Sequence, residues 1–214
     1  MPRIILALAT EADDRFGIWD RIKVIQPDMF AVGPVEVKFA YFGAEGAQQV
    51  RPYVATRWVA NADDMADILD HGRANCVCGC YVQVSDILQQ ALRETQKAPV
   101  EAVVIVGDHF HGDLNAAVKI ARLLRAAGTR LFLLQQGNSD RSTESAFKEI
   151  AAANGGACIQ FNPHVERVAE RLPQMLEAVS HFAVGGEAAL EARGDEAANL
   201  LLGQMGAVSR IGRA

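Results

Sequence analysis

Short apolar runs rich in β-branched residues alternate with segments of helical period along almost the whole chain, which predicts a mostly parallel sheet with helices on both faces. The predicted strands are "RIILALA" at 3–9, "VEVKFAYF" at 35–42, "YVATRWV" at 53–59, "EAVVIVG" at 101–107, "RLFLLQQ" at 130–136 and "ACIQF" at 157–161. Helices are predicted from Ile18 to Phe30, from Asp63 to about Asp70, and over "SDILQQALRET", "LNAAVKIARLLRAAG" and "TESAFKEIAAANGG". A long one follows from Val165 to about Ala183, and a short one at "EAANLLLGQM". Gly128 and the "NGG" at 154–156 stand where left-handed residues cap helices. Between the second and third strands there is no room for a helix, so these two form an antiparallel hairpin at the sheet edge. The fold expected is a doubly wound α/β sandwich of three layers: six strands, mostly parallel, with one antiparallel edge strand.

Composition sharpens this picture. With 214 residues, half of them hydrophobic, the chain can bury a full core. One domain is expected over residues 1–190. The Ala- and Gly-rich residues 191–214 read as an extension with a short helix, an apolar stripe of Leu200, Leu201 and Met205, and a frayed end. A net charge of −5 with scattered basic residues offers no positive face for nucleic acid. No apolar run is long enough for a membrane span, and the one after Arg3 is too short for a signal peptide and is followed at once by acidic residues. A cytoplasmic location is the expectation. Cys76, Cys78 and Cys80 alternate in "NCVCGCY", far from Cys158, without the paired spacing of a zinc site. They read as reduced, small side chains packed beside the sheet.

Candidate chemistry gathers where parallel strands end, because helix N-termini there supply a positive field. Three loops qualify: "ATEADD", "CVCGCYVQVSD" and "GDHFHGD". The last places His109 and His111 two apart on extended chain, facing one way, with Asp108 and Asp113 beside them. Such a set suits zinc or another borderline cation, and Glu11 is then a nominal general base for a metal-bound water. Phosphate-loop and dinucleotide motifs are absent, and no serine sits in a strained elbow. Trp19 and Trp58 read as core or edge anchors.

The blocks "RIILALATEAD", "VEVKFAYFGAEG", "ATRWVANADDMADIL", "CVCGCYVQVSDIL", "AVVIVGDHFHGD", "AFKEIAAANGGACIQF" and "AVSHFAVGGEAAL", in this order, resemble a bacterial group of small von Willebrand factor A-like (vWA-like) proteins. The resemblance runs from Pro2 to about Leu190. It implies a Rossmann-like sandwich whose upper edge carries a metal-ion-dependent adhesion site. There Mg²⁺ is held by an Asp-x-Ser-x-Ser motif, a Thr and a later Asp, and a partner's carboxylate completes the octahedron. Carried onto this chain, the first Asp falls at Ala9, the two Ser at Glu11 and Asp13, and the Thr at Val82; the later Asp is kept as Asp108. Ala9 and Val82 offer no ligand, whereas Glu11 and Asp13 bring carboxylates where hydroxyls are expected.

The resemblance therefore implies a non-catalytic protein-interaction module with a degenerate or remodelled adhesion site. Its partner would be another protein, meeting Tyr81, Gln83, Asp108, His109 and His111. No cofactor is expected; Mg²⁺ or another divalent cation held by Asp108, Glu11 and Asp13 is the alternative, since three converging carboxylates demand a cation or raised pKa values. Two other readings stay open. One is a metal-dependent hydrolase built on His109, His111 and Asp108. The other is a self-associating structural protein with a homodimer seam at the "ATRWV" edge or the C-terminal helix.

Overall fold

The computed structural model describes residues 1–9, 18–44, 50–75, 84–107, 109–136, 141–161 and 166–211. Its strands are β1 (Arg3–Ala9), β2 (Glu36–Ala44), β3 (Val50–Val59), β4 (Ala102–Gly107), β5 (Arg130–Gln136) and β6 (Ala157–Phe161). They form one sheet in the order β3-β2-β1-β4-β5-β6, parallel throughout except for β3 against β2. Among the described residues, seven helices connect and cover the strands: α1 (Ile18–Ala31), α2 (Ala62–Asn75), α3 (Val84–Thr95), α4 (Leu114–Ala126), α5 (Arg141–Asn154), α6 (Glu166–Arg193) and α7 (Glu196–Ile211). The predicted three-layer sandwich and its antiparallel edge hairpin are both present.

The apolar runs explain the layers. Along β1, Ile4, Leu6 and Leu8 enter one core with α1, α2, α6 and α7, while Ile5 and Ala7 enter the other with α3, α4 and α5. A strand whose successive side chains point to opposite faces must be apolar at every position when both faces are covered. β4, buried from Ala102 to Gly107 without a break, meets this condition fully.

The second core is stitched at its lower end by buried polar groups. Asn154, fully buried at the end of α5, accepts from Leu131 N–H at 2.7 Å and donates to the carbonyls of Ala121 and Thr129. One amide thus ties α5 to α4 and β5. The turn that follows needs glycine twice: Gly155 has φ 76°, and a Cβ on Gly156 would stand 1.9 Å from the Leu131 carbonyl oxygen. Gly128 likewise takes φ 87° after α4, so both predicted left-handed caps are present.

The edge hairpin carries a bulge, because Lys38 pairs with Trp58 but Ala40 pairs with Ala55. At this irregularity the Thr56 hydroxyl takes over the ladder's role, accepting from Phe39 N–H at 3.0 Å. Trp58 is the edge anchor that the sequence suggests. The Arg3 and Lys38 cations lie over its ring at 5.0 and 5.1 Å, and its indole N–H donates to Glu94. Glu94, buried on α3, also pairs with Lys38 at 3.2 Å and Lys97 at 2.9 Å. Burial pushes the Glu94 carboxyl up, but hydrogen bonds from Lys97 and Lys38 outweigh it and hold the group below the ordinary carboxylate range.

Three helices extend beyond their predicted ends, α2 reaching Asn75 in place of about Asp70. α6 continues past Ala183 to Arg193 by bending at Gly186 (φ 68°, ψ −156°), and α7 reaches Ile211. The Arg193 guanidinium, paired with Glu177 at 2.8 Å and Asp195 at 2.6 Å, fixes the turn between them. Ala197, Ala198, Leu201 and Met205 of α7 are buried in the first core alongside Ile159 and Phe161 of β6. The stripe considered as a dimer seam therefore faces the chain's own sheet, since burying Leu201 here is worth roughly 2 kcal/mol.

Asn154→Ala is expected to lower unfolding stability by about 3 kcal/mol, because it strands the buried Leu131 N–H and two carbonyls; urea denaturation checks this. Glu94→Gln is expected to cost about 2 kcal/mol at neutral pH. A depressed carboxylate contributes stability above its unfolded value, near 4.5, and loses it as pH falls through the lower folded value. The deficit of Glu94→Gln relative to the parent should therefore shrink below pH 4.5 in melts run across acidic pH.

Candidate functional site

The register of β1 on β4 runs from Ile4↔Ala102 to Ala9↔Gly107, so both strands leave the sheet side by side at its carboxyl edge. From here the chain continues to β2 on one side and to β5 on the other, the switch point at which open α/β sheets present ligand-binding loops. Ala9 ends β1 at this point without a side-chain oxygen or nitrogen.

After β4, residues 109–113 cross the edge and enter α4. Phe110 packs on the second core, and its N–H donates to the Thr143 hydroxyl at 3.3 Å. Thr143 is buried in the first turn of α5, so this bond joins the starts of two neighbouring helices across the sheet end. His109 and His111 are half-buried and stack with ring centroids 6.2 Å apart and planes 13° from parallel. The H-x-H spacing thus brings the two imidazoles onto one side of the chain, as extended geometry requires. Asp113 does something else: its carboxylate accepts from the N–H groups of Asn115 and Ala116 at 2.9 and 3.2 Å, capping α4. That satisfies the helix's orphan donors and places negative charge at its positive end.

Beyond the predicted residues, a polar group lines the ends of β5 and β6. Gln160 donates to the buried Gln135 at 3.3 Å, and Glu144 pairs with Lys148. Hydrogen bonds from Lys148 and Gln160 hold the Glu144 carboxyl below its ordinary range. Cys158 lies beneath them, its thiol pushed up by burial to about 11. That keeps it protonated and makes it a packing residue, as the sequence suggests. The signal for this group, a Gln near the end of each of two adjacent strands, is too common to be read without their register.

Of the other predicted site residues, Glu11, Asp13, Tyr81, Gln83 and Asp108 lie outside the described residues, as do Val82, His164, Cys76, Cys78 and Cys80. Among the described residues, no three His, Cys, Asp or Glu side chains converge to hold a metal ion. His71 is exposed on α2, and His181 on α6 stands 3.9 Å from Glu177, both on helices as expected. Among the described residues, no helix is long and apolar enough to cross a membrane.

Solved structures share this architecture. A von Willebrand factor type A protein from Catenulispora acidiphila superposes with a TM-score of 0.59 at 13% identity, over 84% of this chain and 42% of that one. The pilus adhesin SpaC from Lactobacillus rhamnosus GG gives 0.59 at 10% identity, over 86% of this chain and 30% of that one. Proximal thread matrix protein 1 from the mussel byssus, solved with a zinc-occupied MIDAS (metal-ion-dependent adhesion site) motif, gives 0.58 at 13% identity, over 84% and 46%. The chain spans less than half the length of each. It has a von Willebrand factor A-like fold. No family model matches the sequence, and no curated protein matches it either.

Because the Asp113 carboxylate is engaged by two backbone donors, Asp113→Ala is expected to destabilise the chain by about 1 kcal/mol. Asp113→Asn, which keeps a capping oxygen, should recover most of that loss in the same thermal or urea melts.

Proposed function

We propose that this chain is a non-catalytic interaction module of the vWA type, whose upper face over β1 and β4 takes another protein without needing a bound cation. One observation carries the reading. The strand ends that frame the adhesion site in this fold lie side by side here, but Ala9 stands where the resemblance places the first aspartate. A methyl group cannot ligate Mg²⁺, and a hard cation that keeps too few oxygen ligands stays in water. Glu11, Asp13 and Asp108 then serve as charged contacts, with His109, His111, Tyr81 and Gln83 as the contacts that complete the face. This surface suits a partner with basic residues, since complementary charge speeds encounter and fixes register. That SpaC is a pilus adhesin is consistent with such a use of the fold.

A photo-crosslinking residue at position 111, compared with one at Lys97, tests this proposal. The expected outcome is a discrete protein adduct from position 111 that persists in EDTA and is missing from position 97. Loss of the adduct in EDTA, or equal labelling from both positions, would contradict the proposal.

The stacked His109–His111 pair favours one second reading, a metal-dependent hydrolase with Asp108 as a further ligand. It requires stoichiometric zinc in untagged protein and loss of that zinc in His109→Ala. Metal analysis by mass spectrometry decides between the two; the interaction module predicts no bound metal in either protein.

A further inference from the structure

A second feature lies far from the upper face, at the amino ends of β5 and β6. A cavity of about 280 Å³ opens there, between the end of α4, the part of α6 beyond Gly186, and α7. Arg125 and Arg130 line it together with Glu187 and Glu191, and Leu202 and Met205 form its apolar floor.

The charges in this cavity are not paired with one another. Among the described residues, neither arginine has a carboxylate within 4 Å, and neither glutamate has a basic partner. Arg130 Nε is buried and has no hydrogen-bond partner among the described residues. A buried guanidinium donor without a partner is costly, so an acceptor brought to it is stabilising. The Arg125 guanidinium lies against the turn at Gly155, where an added Cβ would stand 3.4 Å from its central carbon. Glu187 and Glu191 are four apart on a helix, where like charges repel by a few tenths of a kcal/mol unless a cation lies between them. Two cations and two anions thus share one cavity without meeting, Arg130 half-buried and Arg125, Glu187 and Glu191 exposed to solvent.

We propose that this cavity binds a small zwitterion, its carboxylate taken by Arg125 and Arg130 and its ammonium by Glu187 and Glu191. Paired arginines present forked donors matched to a carboxylate, which a simple halide would not exploit. The two glutamates disfavour ligands carrying negative charge alone, such as phosphate. Because α6 and α7 build most of the wall, a ligand here would also brace the α6–α7 turn held by Arg193.

A chain-length series tests the assignment on the full protein. Glycine, β-alanine, γ-aminobutyrate and 6-aminohexanoate carry the same two charges at increasing separation. Calorimetric titration and thermal melts are expected to show saturable binding with an optimum at one length, and at least tenfold weaker effects for acetate and for methylammonium. Arg130→Gln and, independently, the exposed Arg125→Gln should each weaken the best ligand at least tenfold, and Glu187→Gln with Glu191→Gln should do the same. Binding of no member of the series, equal responses to acetate and the zwitterions, or unchanged affinity in folded Arg125→Gln would overturn the proposal.

Discussion

Parallel pairing of β1 with β4 is the constraint on which the rest of the molecule depends. Six register pairs, Ile4↔Ala102 through Ala9↔Gly107, join two strands that contribute large apolar side chains to both cores. A slip of one residue would exchange the contents of the two cores, moving Ile5 into the space shaped for Leu6. Each fully buried Ile, Leu or Val contributes roughly 2 kcal/mol, so no other register competes. Once this pair is set, β2 and β5 can add only on either side, and the chain must leave both strand ends at one edge. The position of the face proposed for binding follows from where the chain exits, before any polar residue is considered.

Polar side chains are used differently at the two ends of the sheet. At the lower end, Asn154, Thr129 and Glu94 are buried and bonded, and they fix helices to strands. At the upper end, Asp113 and Thr143 hold the helix starts while the two histidines stay half-exposed. The Arg125–Arg130 cavity departs from this pattern, because charges gather there without pairing. It arises where α7, which packs along β6, meets the bend of α6 at Gly186.

Much of the fold was legible in the sequence because burial on both faces leaves an unmistakable run of apolar residues, as in "AVVIVG". The edge hairpin was legible too, from the absence of a helix between two runs. Less visible were features that depend on register: the bulge at Thr56, the Gln135–Gln160 contact, and the convergence of Lys38, Lys97 and Trp58 on Glu94. Glu94 reads as an ordinary surface residue of a helix until the hairpin is placed beside it. Arg125 and Arg130, or Glu187 and Glu191, read as solvated helix-end and helix-face charges, and only the path of α7 brings them together. At the candidate site the histidine pair and the switch point were legible. The adhesion-site positions were reached through resemblance alone, and of these Ala9 is the one the described residues contain.

The central claim is that the face above β1 and β4 is a binding surface that works without a divalent cation. Paramagnetic Mn²⁺, titrated while the ring protons of His109 and His111 are followed by NMR, tests it most directly. Both histidines follow directly on the end of β4, so an ion held at the strand ends must broaden their rings strongly and saturably. The account predicts only weak, non-saturating broadening, equal to that of the exposed His71. Selective, saturable broadening of His109 and His111 that competes with Mg²⁺ would contradict it.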